Sequence, residues 1–465
     1  MTLASRARRQ GAKDVDMTSG NIFMHLLRFT MPLLVGNIFQ QLYNTVDTWV
    51  VGNFVSNEAF SAVGTVAPII NTLIGFFLGL SSGAGVVISQ YYGARQTDRV
   101  HDTVHTSIAM TLIMGVAFTF IGIAMTPAML RLMKVPAEVM PEATTYLTIY
   151  FAGVLGLMLY NMGAGILRAV GDSRHPFYYL VVCAVLNTVL DLVFVLVFDM
   201  GVAGVAYATI LSQIISAILV FVTLMRTSMC VKFSVSHLRI YGAELKKIIH
   251  VGIPAAIQMA VTSFSNVFVQ SYINYFGADC MSGWTAYSKV DQIMLLPVQS
   301  LALAATTFVG QNLGINDQKR AKKGVKIAIL MGFVSTAALI AAVVPTAPYV
   351  VRFFNSKPEV IEYGTRFLRI ISPCYMLCAI NQILAGALRG AGDSRACMIT
   401  MLGSFVVFRQ IYLFIMANFI SNTVIPIVMG YPAGWLVASV TTGIYFLKAD
   451  IGKNRIVDDS PAAEG

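Results

Sequence analysis

Asp47 and Asp191 are carboxylic acids set inside otherwise apolar runs. An ionised Asp at the centre of a membrane-spanning helix costs roughly 2.5–3.5 kcal/mol on insertion scales, so such a group normally faces a cavity, a partner or an ion. Asp191 lies deep in YYLVVCAVLNTVLDLVFVLVF, and Asn187, four residues earlier, shares its helical face. Asp47 lies in MPLLVGNIFQQLYNTVDTWVVG, where Asn37, Gln41, Asn44 and Thr48 fall on one face with Gln40, Asn44 and Asp47 beside them. A polar stripe through an apolar helix reads as a cavity wall. Two carboxylates in one half of the chain can share a proton or bind a small cation, since close like charges cannot both ionise freely. That is the chemistry of an ion-coupled machine. The plainer alternatives are a hydrated Asp47 at the outer interface and an Asp191 that only fixes helix packing through Asn187. Pro32, about four turns before Asp47, can kink the helix.

The second half repeats the stripe without the acid: Gln258, Thr262, Asn266 and Gln270 follow at i, i+4 steps. Asp291 either meets a cationic substrate or sits near the outer headgroups with Lys289. Arg409 lies where the second half would be expected to place an acid. Met and aromatic residues, at 24 Met, 28 Phe and 19 Tyr, suit a cavity that accepts varied apolar shapes, or ordinary core filling.

These side chains need elements to hold them, and composition says which. Of 465 residues 57% are hydrophobic and 12% charged, with a mean hydropathy of +0.72. A soluble domain carries about 25% charged residues. Twelve stretches are long and apolar enough to span a bilayer. They run near 29–52, 61–91, 104–128, 144–168, 177–198, 202–225, 251–276, 283–311, 325–347, 366–388, 397–420 and 424–448. The net charge of +10 is better explained by topology than by nucleic acid. With both termini inside, 23 Lys and Arg fall on the cytoplasmic side and six outside.

The chain is one unit written twice. AGILRAVGDSR at 164–174 and AGALRGAGDSR at 385–395 agree at eight of eleven positions, 221 residues apart. Gln90 and Gly93 match Gln311 and Gly314, Glu138 matches Glu359, and at an offset of 222 Pro32 matches Pro254 and Asn44 matches Asn266. Six helices per repeat is an even number, so both halves keep one orientation. The fold class expected is an all-α integral membrane protein: twelve transmembrane helices in two pseudo-symmetric six-helix lobes around a central cavity. Residues 1–23 would be a cytoplasmic tail, 24–225 the first lobe, 226–249 a cytoplasmic linker, 250–448 the second lobe and 449–465 a second tail. In the GDSR loops Gly allows a turn and Asp or Ser can cap the next helix. Gly75, Gly79 and Gly83 mark a close-packing face.

No enzyme signature appears: no Walker motif, nucleophile elbow or HExxH helix. His101 and His105 at i, i+4 read as a solvated face rather than a metal site, and Cys374 with Cys378 as a buried structural pair. No cofactor is expected. A membrane enzyme would need a clustered site that the chain lacks.

At this point the sequence resembles the MATE (multidrug and toxic compound extrusion) family over nearly its whole length. The resemblance rests on the double six-helix repeat, PLLVGNIFQQLYNTVDTWVVG, VVISQYYGARQ and FVGQNLG, and the paired LRxxGDSR loops. The first helix and LNTVLDLVF…MGVAGVAYATILSQ look most like the DinF-type and archaeal branch. The resemblance implies secondary active export of amphipathic, cationic compounds by antiport with H+ or Na+. It implies a coupling site of Asp47, Asn187, Asp191, Thr209, Tyr43, Tyr146 and Asn161, with Pro32 as a hinge. Residue reading alone reaches Asp47, Asn187 and Asp191 and not the other four. Gln40, Asn44, Gln258, Thr262, Asn266 and Asp291 are the expected cavity residues. Another branch places acids in helices 7 and 10; here neither has one, and Asp291 is the only acid available there. A lipid-linked glycan flippase of the same superfamily would call for a strongly cationic cavity, and only Lys289 and Arg409 are available within the helices for it. Partners would be small organic substrates and the bilayer of the inner membrane, with no nucleic acid. A single two-lobe chain is complete in principle as a monomer.

Overall fold

A computed structural model describes residues 16–420 and 423–457. In hydrocarbon each backbone N–H and C=O must be satisfied within the chain, and a helix does this locally. The first half holds α1 (Ile22–Phe54), α2 (Asn57–Gly93), α3 (Thr97–Leu132), α4 (Met140–Ala152), α5 (Val154–Ala169), α6 (Arg174–Leu192) and α7 (Gly201–Arg226). The second holds α8 (Gly242–Asn274), α9 (Ala278–Gly314), α10 (Gln318–Phe354), α11 (Pro358–Ile371), α12 (Tyr375–Gly390), α13 (Ser394–Leu402), α14 (Arg409–Ile415), α15 (Val424–Val428) and α16 (Gly430–Lys448). Among the described residues eleven helices are long and apolar enough to cross a membrane, or twelve with α4 and α5 as one span bent by 47°. The single stretch expected near 144–168 is that bent pair.

Two π-helical segments interrupt the spans. Val193–Val197 follows α6 just after Asp191, and Gly403–Phe408 runs directly into Arg409. π-turns often accompany functional positions because they turn side chains out of the α-helical register.

The chain divides into two compact units, but not at the repeat boundary. Met31–Ile253 belong to the first unit, while Met17–Thr30 join the residues from Pro254 onward in the second. The expected lobes, 24–225 and 250–448, are contiguous; these units are not. Each repeat's first helix thus changes unit beside its proline, Pro32 in α1 and Pro254 in α8. Both helices run through their prolines without a break.

Hydrogen bonds explain the exchange. In the second unit the Arg320 guanidinium donates to the carbonyls of Met17, Ser19 and Gly20, and Asn312 Nδ2 donates to that of Met17. In the first unit Arg99 Nη1 donates to the buried Glu244 carboxylate at 3.0 Å, and Tyr241 N donates to Thr106 Oγ1. His105 is fully buried rather than solvated as its spacing suggested: its ring bonds His101 O through Nδ1 and the Ser234 backbone through Nε2.

Backbone conformation repeats with the sequence. Gly171 has φ 89° and Gly392 φ 87°, while Arg95 and Asn316 have φ 59° and 60°; both pairs are 221 residues apart. Positive φ explains the glycine of each GDSR loop. The acids then cap the next helix: Asp172 Oδ1 accepts from Arg174 N and His175 N, and Asp393 Oδ1 from Ala396 N.

Inside the first unit α5 packs on α2, α3 and α7; inside the second α9 packs on α10, α11 and α12. Of the three glycines expected to form a close-packing face, Gly83 has the tightest approach. A Cβ there would lie 2.3 Å from Gly252 Cα at the start of α8. Gly83→Val is therefore expected to destabilise the protein by about 1–3 kcal/mol through overpacking. Thermal unfolding of the purified protein checks this; an unchanged midpoint would mean that the crossing is not tight.

Candidate functional site

The first unit gathers its polar side chains from four helices. Asp47 comes from α1 and Asp191 from α6, and the two carboxyl groups face each other at hydrogen-bonding range. Tyr146 of α4 lies beside both acids and beside Thr209 of α7. Tyr43 is next to Asp47 and Gln40 on α1. Asn187 stands one turn before Asp191, and both are fully buried. The helical period of α6 puts this pair on the interior face while Val182, Val185 and Val189 point outward.

The cluster is unfinished as a hydrogen-bond network. Asp47 Oδ1, both Asp191 oxygens and both polar atoms of the Asn187 amide are buried without a partner among the described residues. Leaving one such group unmet costs about 1–3 kcal/mol, more when it is charged. Two facing carboxylates are acceptors only, so no hydrogen bond forms between them until one carries a proton. A proton or a small cation between them would satisfy the acids, and the Asn187 carbonyl supplies a further oxygen. Such an arrangement can hold and release one positive charge.

Not every residue implied for this site joins it. Asn161 of α5 donates to Leu157 O, and its own carbonyl accepts from Ser81 Oγ, so it is tied to α2. Thr209 also donates to Val205 O. On α1, Asn44 is exposed and reaches Gln41 Oε1 at 3.4 Å.

The second unit is arranged differently. Gln258 is buried, its Oε1 accepting from Arg389 Nη1 at 3.1 Å, which fastens the second LRxxGDSR motif to α8. Thr262 Oγ1 donates to Gln258 O. Asn266 is exposed, and its Oδ1 accepts from Arg409 Nη2. Asp291 does not pair with Lys289. Its Oδ1 accepts from Tyr287 OH at 3.2 Å and from Tyr375 OH. Tyr287 was visible in principle as the i−4 neighbour of Asp291. Tyr375, 84 residues away, left no local signal. Among the described residues no group of three or more His, Cys, Asp or Glu side chains is placed to hold a metal ion.

Comparisons with known proteins agree with this architecture. The MatE family model matches residues 32–193 and 254–431. The chain is 31% identical to the probable multidrug resistance protein YpnP of Bacillus subtilis (strain 168), over 85% of this chain and 89% of that one. It is 27% identical to the probable multidrug resistance protein YoeA of the same strain, over 90% and 92%. A solved structure described as the outward-facing conformation of a multidrug resistance MATE family transporter superposes with a TM-score of 0.88 at 24% identity, covering 96% of this chain and 98% of that one. The matched segments begin at Pro32 and Pro254, where the units exchange, and take in one repeat each; this chain belongs to the MATE family, a family of membrane transporters rather than enzymes.

Proposed function

We propose that this chain exports amphipathic organic compounds, cations among them, in exchange for protons or sodium ions. The observation that carries the coupling is the facing pair Asp47 and Asp191 with its unpartnered buried atoms. Asn187, Thr209, Tyr43 and Tyr146 are its proposed supporting residues, and Asn161 an outlying one. Multidrug export as the task is supported by the names of the curated relatives, which are called multidrug resistance proteins.

In the proposed cycle, a positive charge bound between the two acids favours one cavity orientation. Substrate then displaces that charge or favours the other orientation. Pro32 is the proposed hinge. A proline removes one backbone donor from the helix, so bending there breaks fewer hydrogen bonds. Gln40, Asn44, Gln258, Thr262, Asn266 and Asp291 are the proposed cavity residues. Gln258 and Asp291 already hold internal partners, so they would shape the wall while Asn266 and Asn44 contact the ligand. A single chain in the inner membrane, with both termini and the linker cytoplasmic, is the proposed working form.

Purified protein in liposomes with a fluorescent organic cation tests this, with proton and sodium gradients applied separately. One gradient is expected to drive the dye, and Asp47→Asn to fall to the rate of protein-free liposomes. Equal movement by variant and wild type would overturn the coupling role. No movement under either gradient would overturn the substrate class.

A further inference from the structure

Arg409 is the largest side chain fully buried in the protein, with 2% of its surface exposed. Adding the repeat offset of 221 to Asp191 gives Tyr412, one turn from Arg409 on α14. The second unit therefore carries a guanidinium close to where the first carries its acid.

The surroundings of Arg409 do not neutralise it. Nη2 donates to Ser265 Oγ and to Asn266 Oδ1, both at 2.9 Å. Both partners are neutral, and no described carboxylate pairs with the guanidinium. Nε is buried without a partner, and Nη1 donates to no described group. The guanidinium lies 4.9 Å from the ring centre of Tyr431 and 5.9 Å from that of Phe405. Ring faces soften the desolvation of a cation but do not cancel its charge. A buried, uncompensated charge is expensive, and a Gln or Met would fill the same volume more cheaply.

The cluster also has a way out. Asn266 is exposed on the polar stripe of α8. Its Oδ1 is turned to Arg409, so its Nδ2 is left as a donor on the accessible side. Arg409 Nη1 and Asn266 Nδ2 together offer two N–H donors and a full positive charge. Beyond Tyr431 an aromatic wall continues through Trp284, 5.5 Å away between ring centres, to Tyr287, which donates to Asp291. Asp291 accepts both of its hydrogen bonds on Oδ1.

We propose that Arg409 and Asn266 form an anion-recognition site in the second unit, and that it selects aromatic, amine-bearing substrates that also carry a carboxylate. The carboxylate meets Arg409 and Asn266, the ring system lies along Tyr431 and Trp284, and the amine is directed toward Asp291. This deepens the proposed function by naming a substrate class, and it rests on that function being transport of organic molecules.

Rhodamine 110 and its methyl ester, rhodamine 123, differ in one carboxylate and so isolate the effect. Their binding to the purified protein, followed by fluorescence polarisation without any gradient, reads the site independently of transport. Wild type is expected to bind rhodamine 110 roughly tenfold or more tightly than the ester, the worth of a charge-assisted hydrogen bond. Arg409→Met should abolish that preference while changing rhodamine 123 by less than about twofold. Arg409→Lys, which keeps the charge but not the planar donor set, should retain part of it. If Arg409→Met does not fold, Asn266→Ala, at an exposed position, should still shrink the preference. The proposal is overturned if wild type binds both dyes equally, if Arg409→Met keeps the preference, or if it weakens both dyes alike, as a purely structural role would. A preference in binding with no gradient-driven movement of either dye would uphold the site while overturning transport of this class. Movement of both dyes without a preference would sink the site alone.

Discussion

Hydrocarbon offers no hydrogen bonds, and this protein is organised around that fact. Helices settle the backbone. Side chains such as Thr48, Thr111 and Thr262 settle themselves by donating to the carbonyl four residues back. Polar groups that do neither must find a partner in another helix, and those contacts hold the units together. Arg389 finds Gln258, Arg99 finds Glu244, and Arg320 finds three carbonyls that precede α1 or lie at its start. The groups left over after this sorting are few. In the first unit they are the atoms of Asp47, Asn187 and Asp191; in the second, the guanidinium edge of Arg409. In a solvent that penalises each of them, such leftovers mark the places where something else is meant to bind.

The two repeats illustrate how duplication and divergence divide the work. Where they set geometry they have stayed alike: the positive-φ glycines at 171 and 392, the acid caps that follow them, and the paired positive-φ residues 95 and 316. Where they carry charge they have parted. The first unit keeps two facing acids, and the second has a buried cation with an aromatic wall. A shared scaffold can tolerate this because loop turns and helix caps depend on local sequence, while the charged side chains point into interiors that each repeat packs separately.

Much of this was legible in the sequence for a physical reason. Spans are read from apolar length, and each α6-type face from the 3.6-residue period, so Asn187 with Asp191 and the stripe of α1 were visible directly. The GDSR loops were visible because only glycine serves the turn. What stayed hidden depends on contacts between distant segments. Nothing near Met17 says that Arg320 will claim it and draw Met17–Thr30 into the second unit. Nothing near His105 says that Ser234 of the linker will bury it. The partner of Asp291 on α12, Tyr375, is equally remote. Asp47 and Asp191, 144 residues apart by number, could be proposed as a pair only because the membrane makes lone acids implausible.

The central claim is that Asp47 and Asp191 act as one site holding one positive charge. A double-mutant cycle on gradient-driven transport tests it most directly, using Asp47→Asn, Asp191→Asn and the combined variant in the same liposomes. Groups that work as a unit are not additive. Each single variant is expected to lose as much rate as the double, so that the second substitution costs nothing further. Losses that multiply, with the double variant slower than either single by the product of the two effects, would mean that the acids act independently and would contradict the shared site.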